Sequence, residues 1–306
     1  MINTLSQIND AIKKDSASFI KTCESEYKNQ ITEIARKIAD NDDIKIVAIS
    51  GPSGSGKTTT AHILMRKLAD FGEKTAVISL DDFYLPISKI PFLPDGSRDI
   101  ESVYALDIPC IERVFKNIIK SGKAVMPRFD FQTKKSTRNA KTVDIGTRGI
   151  VIVEGLHALN PEITGLVSKN NIIKIYISVN IPIENESGEQ VLSSRQIRLA
   201  RRILRDERFR GAPATDTLTL WNKVVDGESK YLYCFKNTAD IKLTTLHSFE
   251  PCIYKEPFCK MRQSVGTNTP CYEYFIKTAN ALQRFESADM KSVPDDSLIR
   301  EFIGNE

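Results

Sequence analysis

Eight consecutive residues carry the most specific chemistry in the chain: Gly51-Pro52-Ser53-Gly54-Ser55-Gly56-Lys57-Thr58. Glycine, four residues, then Gly-Lys-Thr is the phosphate-binding P-loop pattern. The residue types follow from the task. Glycines let successive backbone N–H groups converge on an anion, because a Cβ would block both the close approach and the backbone angles. Lys57 supplies a mobile positive charge for β- and γ-phosphates, and the Thr58 hydroxyl can sit on Mg2+. The bland alternative is a glycine-rich turn with a chance Lys-Thr, and the flanks argue against it. Ile44 to Ile49 is a β-branched, buried-strand pattern. Thr58 to Asp70 reads as a helix with Ala61, Leu64, Met65 and Leu68 on one side and Gly72 just past its end. A helix N-terminus behind the loop adds its own attraction for phosphate. The expectation is a nucleoside triphosphate held by Gly51, Ser53, Gly54, Ser55, Gly56, Lys57, Thr58 and Thr59.

Other candidate residues stand where ligands gather in open parallel sheets, beyond the carboxyl ends of strands. Thr75 to Leu80 ends at Asp81-Asp82-Phe83-Tyr84, and Gly149 to Val153 ends at Glu154. Glu154 is expected to hold Mg2+ directly or through water, and the alternative is a strand-end charge facing solvent. Asp81 is the candidate general base for an attacking hydroxyl and a further metal oxygen, with Asp82 as its competitor. Side chains alternate across a strand, so only one of the two should face the phosphates. Arg198, Arg201, Arg202 and Arg205 recur at helical spacing on one side. Clustered arginines repel unless an anion or solvent screens them. A lid over ATP would supply that anion; a solvated basic face is the alternative.

The elements that must position these groups alternate strand and helix, which argues for a parallel α/β sheet flanked by helices. Ile20, Cys23, Tyr27, Ile31, Ile34 and Ile38 predict an amphipathic helix within an N-terminal extension, 1–43. A P-loop domain is expected over 44–285, with a helix at 111–119, a hairpin near 127–144 and strands at 172–177 and 240–243. Residues 182–194 read as a loop, inside an arginine-rich lid spanning 182–212. Residues 286–306 are expected to pack on the domain as a tail.

The 306 residues are 41% hydrophobic and 27% charged, ordinary for a globular protein, with a net charge of +4. That charge is too small and dispersed to argue for nucleic acid. The six cysteines show no Cys-x-x-Cys spacing and read as reduced thiols; Cys252, Cys259 and Cys271 lack a histidine at zinc-type spacing. No run reaches membrane-span length and the N-terminus lacks a signal-peptide core, so a cytoplasmic protein is expected. A homo-oligomer is compatible with the sequence.

The set of motifs resembles the uridine kinase and phosphoribulokinase family. The P-loop is joined by Ser79-Leu80-Asp81-Asp82-Phe83-Tyr84, Pro127-Arg128-Phe129-Asp130-Phe131, Val153-Glu154-Gly155 and Arg201-Arg202-Ile203-Leu204-Arg205-Asp206. The match looks closest to uridine kinase-like nucleoside kinases, in the bacterial branch often fused behind a small TGS domain; none is expected here. Ala105-Leu106-Asp107, Phe209-Arg210-Gly211, Thr219-Leu220-Trp221 and Ser297 to Gly304 are similar to that branch.

The resemblance implies an NMP-kinase-like fold and transfer of a phosphoryl group from ATP to a nucleoside 5′-hydroxyl, uridine or cytidine. It implies that Asp81 is catalytic with Lys57, Arg202 and Arg205, and that Arg198 and Arg201 stand at lid positions. It puts Asp240 near adenine, and Asp107 on the ribose hydroxyls with Tyr84, Phe129, Lys134 and Arg198 around the acceptor. The family's base-reading tyrosine and histidine are Phe129 and Lys134 here. Phe129 offers a stacking face, and Lys134 can only donate, suiting the O4 of uracil.

Two other readings stay open. Lys134 and Lys135 near the acceptor would suit a phosphorylated sugar. A regulator that binds ATP without an acceptor would not need the whole set of Asp81, Lys57, Glu154 and the arginines.

Overall fold

The computed structural model describes residues 2–130, 133 and 135–305. Its first half runs α1 (Leu5–Ala39), β1 (Ile46–Ser50), α2 (Lys57–Asp70), β2 (Thr75–Ser79), α3 (Ile108–Ser121), β3 (Lys123–Asp130), β4 (Lys135–Asp144) and β5 (Ile150–Glu154). There follow α4 (Pro161–Thr164), β6 (Ile172–Ser178), β7 (Ile183–Glu184), β8 (Gln190–Leu192), α5 (Ser194–Arg210) and α6 (Ala214–Tyr231). The chain closes with β9 (Ile241–Thr244), α7 (Glu250–Met261), α8 (Tyr272–Gln283) and α9 (Arg300–Ile303).

Five strands form one parallel sheet in the order β2-β5-β1-β6-β9. Every residue of β1 and β5 is buried, as their near-continuous Ile/Val runs require of strands covered on both faces. The two-residue alternation of a strand sorts these side chains. Val47 and Ile49 meet α1, α2, α5, α7 and α8 on one side. Ile46, Ala48, Val151 and Val153 meet α3 and the β3–β4 hairpin on the other.

Register places the chemistry. Ser79 pairs with Glu154, and Glu154 pairs with Ile49. Asp81, Glu154 and the P-loop after Ser50 therefore leave the same edge of the sheet on adjacent strands.

Packing revises one expectation, the loop at 182–194, and adds detail to two others. Within the N-terminal extension α1 is a helix kinked at Asp15, whose carboxylate accepts from the Ser18 amide at 3.0 Å. Its apolar side chains from Ile8 to Ile38 are buried in the same cluster as α2, and Tyr27 Oη lies 2.7 Å from Thr60 Oγ1, so the helix is core. Residues 182–194 fold into the β7–β8 hairpin, its turn tied by Asn185 Oδ1 accepting from the amides of Ser187 and Glu189. In the tail, Leu298, Ile299, Phe302 and Ile303 are buried in the core as well.

Candidate active site

The P-loop is shaped by contacts only glycine tolerates. A Cβ on Gly51 would lie 2.2 Å from the Ile177 carbonyl oxygen. Gly56 adopts φ +83° and is the N-cap of α2, so no side chain caps the first turn and its amides are left to a ligand. Lys57 Nζ donates to the carbonyls of Gly51 at 3.0 Å and Pro52 at 3.3 Å. Burial lowers its pKa, and Glu154 and Asp81 oppose that shift.

Beside the loop lies a polar cavity of about 250 Å³. Its walls bring together Ser53, Gly54, Gly56, Lys57 and Thr58 with Asp81, Tyr84 and Glu154, as the sequence anticipates, and with Arg202 and Arg205. Asp81 and Asp82 face different ways, but through a 3-10 turn over Leu80–Phe83 rather than through strand alternation, because β2 ends at Ser79. Asp81 faces this cavity, whereas Asp82 faces the Lys141 charge and the Phe129 backbone of the hairpin. Crowding by the cavity walls raises the pKa of Asp81 although solvent reaches it, with Lys57 opposing; burial likewise raises that of Glu154. The side-chain oxygens of Thr58, Glu154 and Asp81 are ligands of the type a hard divalent cation takes.

The arginine row of α5 divides. Arg202 and Arg205 reach the cavity from a shared anchor, the buried carboxylate of Asp206. Arg205 donates to it at 2.9 Å, Arg202 pairs with it at 3.3 Å, and so does Arg210, a third cation at the cavity wall. Arg202 also donates to Ser53 Oγ at 2.7 Å. Arg198 and Arg201 turn into the protein instead. Arg198 donates to the Ser53 carbonyl at 2.9 Å and to buried Glu228 at 2.6 Å. Arg201 is fully buried, donating to Glu250 at 2.6 and 2.8 Å, to the Thr245 carbonyl at 2.6 Å and to the Gly54 carbonyl at 3.1 Å. The reason is charge balance: a buried guanidinium needs a carboxylate, and α6 and α7 each offer one. These two arginines brace the loop from behind.

Two other candidate residues have structural partners of their own. Asp107 is the N-cap of α3, accepting from the Cys110 amide at 3.1 Å, and lines a separate cavity behind Tyr84. Glu101 is one of four carboxylates that share the cavity with Asp81, beside Glu154, Glu228 and Glu301, and burial raises its pKa while Arg202 opposes the rise. Asp240 is exposed at the start of β9 and accepts from the Lys174 amide at 2.8 Å, level with mid-sheet rather than with the P-loop edge. Phe129 packs its ring on Tyr84, centroids 5.6 Å apart. Lys134 and Phe131 lie outside the described residues.

The sequence reading also missed Glu228 and Glu301. Glu228 accepts from the Ser53 amide at 2.7 Å, and Glu301 from Thr59 Oγ1 at 2.6 Å. Both line the cavity. Glu101 sits in a segment whose prolines suggested only a loop. Glu301 interrupts an apolar run, Leu298-Ile299-Arg300-Glu301-Phe302-Ile303, and that interruption was the available signal.

A model of the phosphoribulokinase / uridine kinase family matches residues 46–249, from β1 to the threshold of α7. The chain belongs to this family. A uridine kinase of Staphylococcus aureus (strain JH9) is 27% identical over 181 residues, covering 59% of this chain and 77% of that one. The solved structure of a possible uridine kinase from Bacillus stearothermophilus superposes with a TM-score of 0.50 at 17% identity, covering 71% of this chain and 99% of that one. At that identity the likeness concerns the fold. Family membership makes the chain a P-loop kinase, a phosphotransferase. No helix among the described residues is long and apolar enough to cross a membrane.

Proposed function

We propose that the protein transfers the γ-phosphoryl group of ATP to the 5′-hydroxyl of a ribonucleoside, with uridine as the leading acceptor and cytidine as the second. The observation carrying this reading is that Asp81 and Glu101 share one cavity with the P-loop, Lys57 and the two outward arginines. Asp81 takes the proton of the acceptor hydroxyl as its oxygen bonds to phosphorus and the bond to the β–γ bridging oxygen breaks, leaving ADP. A carboxylate whose pKa lies above its ordinary value is a better base for that proton. Arg202 and Arg205 stabilise charge on the transferring group, with Lys57 released from its loop carbonyls onto the β- and γ-oxygens. Thr58, Glu154 and Asp81 would hold Mg2+, which when bound supplies neutralisation of the phosphate charge. Glu101 takes the part of accepting hydrogen bonds from the two ribose hydroxyls. A small molecule is thus the partner, with no nucleic acid or membrane, and a cytoplasmic setting fits.

The uridine kinase named above supports a nucleoside acceptor. One observation favours a phosphorylated sugar instead: the cavity behind Tyr84 is lined by Lys89, Arg113 and Arg138. ADP release from Mg-ATP with a panel of nucleosides and sugar phosphates separates the two. Turnover with uridine and none with pentose phosphates is expected. Turnover with a sugar phosphate alone would replace this reading, and ATP binding without any turnover would leave a regulator.

A further inference from the structure

A further cavity, of about 380 Å³, touches the P-loop only at Pro52 and shares no lining residue with the phosphate cavity. Its floor is the sheet. Alternation along β6 turns Tyr176 and Ser178 to one face, and the pairing of Tyr176 with Lys242 sets that lysine beside them. This is the face turned away from the P-loop helix, because Tyr176 packs in the cluster around α3, whereas Ile175 and Ile177 pack with α2. Two other elements close the cavity. The start of α5 brings Ser194 and Arg195, and the 3-10 turn Tyr233–Thr238 brings Lys236 and Asn237.

The lining is rich in donors and poor in acceptors. Besides Arg198, which Glu228 neutralises, Arg195, Lys236 and Lys242 line the cavity, and no carboxylate does. Lys242 donates to Asn237 Oδ1 at 2.9 Å, whereas Arg195 and Lys236 have no hydrogen bond or ion pair among the described residues. The capping box of α5 gives the Ser193 hydroxyl to the Gln196 amide, so the amides of Ser194 and Arg195 find no acceptor there. A separate observation comes from the sheet. Tyr176 and Ser178 are only 7% and 8% exposed, yet neither hydroxyl has a hydrogen-bond partner among the described residues. Buried hydroxyls are normally paired, so two such groups facing one cavity point to a ligand that accepts from both. Cations, amides and hydroxyls converging without a carboxylate suit a doubly charged phosphate, whose three acceptor oxygens can use them all. The cavity is also larger than a phosphate group requires, and the rings of Tyr176 and Tyr233 offer contact area to an ester substituent.

We propose that this cavity is a second anion site, which binds the phosphate group of a small phosphate monoester apart from the reacting nucleotide and acceptor. The phosphate lies between the start of α5 and Lys236, with the Tyr176 and Ser178 hydroxyls donating to it from the sheet. The site uses none of the groups assigned to phosphoryl transfer and stands independently of the nucleoside-kinase reading.

The test titrates glycerol phosphate into the full chain in saturating tripolyphosphate, which keeps the P-loop occupied, and follows binding by calorimetry. Saturable binding to the wild type is expected, weakened about tenfold in Arg195→Ala and in Lys236→Ala. Both side chains are exposed, so thermal unfolding should stay as in the wild type. Tyr176→Phe and Ser178→Ala remove a hydroxyl and keep the charge, and each should weaken binding by about threefold or more. A nonspecific response to net charge would spare these two variants, and that outcome would overturn the proposal. So would a wild type that binds no glycerol phosphate under these conditions, or affinity unchanged in both Arg195→Ala and Lys236→Ala. Inorganic phosphate bound more tightly than glycerol phosphate would overturn the assignment to a monoester.

Discussion

Two halves of one arginine row behave as opposites. Arg198 and Arg201 are buried, each with a carboxylate from a following helix, Glu228 from α6 and Glu250 from α7. Arg202 and Arg205, one helical step around, are anchored on one carboxylate, Asp206, with Glu301 4.0 Å from Arg205, and line the cavity. The first pair spends its charge inside the protein, holding the carbonyls of Ser53 and Gly54. The second pair is anchored at the cavity wall, where an anion can reach it. Spacing along a helix therefore reports which residues share a side and says nothing of which carboxylates the rest of the chain brings to them.

The largest expected effect breaks the buried half. Glu250→Ala leaves Arg201 charged and unpaired and should cost about 3–5 kcal/mol in urea unfolding. A loss near zero would mean Arg201 is not fixed by that pair. Next, Arg202→Ala and Arg205→Ala should lower turnover by roughly 10²–10³ while changing ATP affinity much less, because such contacts strengthen as charge develops. Equal, small changes in both quantities would reduce the outward pair to a solvated face. The carboxylates allow a parallel test. Glu101→Gln should relax discrimination against 2′- and 3′-deoxy acceptors by about tenfold or more, whereas Asp107→Ala should leave it intact and cost about 1 kcal/mol of stability as a lost cap.

The smallest effect concerns pH. His157 is buried, and burial pushes its pKa from 6.5 down to about 4 against the opposing pull of the Glu101 backbone and the Asp99 charge. The unfolded chain therefore binds more protons between those values, so stability present above pH 6.5 is lost as pH falls toward 4. His157→Leu should flatten that part of the stability profile measured against wild type. An unchanged slope would show that the carboxylates alone account for it.

Much of the cavity was legible because its residues sit at strand ends and in one contiguous loop. Strand–loop–helix context placed Gly51 to Thr58, and the Ile/Val run before Glu154 fixed its height in the sheet; the choice between Asp81 and Asp82 stayed open, because a 3-10 turn and not strand alternation orients them. Arg198, Arg201 and Asp107 share one feature that the sequence did not show. Each satisfies a local or buried demand, a countercharge or a helix cap, that only the folded chain supplies. Glu101, Glu228 and Glu301 were illegible because tertiary packing of distant segments, up to the final turn of the chain, carries them to the P-loop. The hydrophobic pattern of α1 announced a helix with a face for the core, but not that the P-loop helix would be its partner through Tyr27 and Thr60.

The central claim is that Asp81, and not its neighbour, removes the acceptor's proton beside a P-loop that binds ATP independently of it. The most direct measurement is ATP binding and steady-state turnover in Asp81→Asn and Asp82→Asn side by side. The account predicts that Asp81→Asn keeps ATP affinity within about twofold and loses turnover by roughly a hundredfold or more, with Asp82→Asn close to wild type. A crippled Asp82→Asn beside an active Asp81→Asn would contradict it.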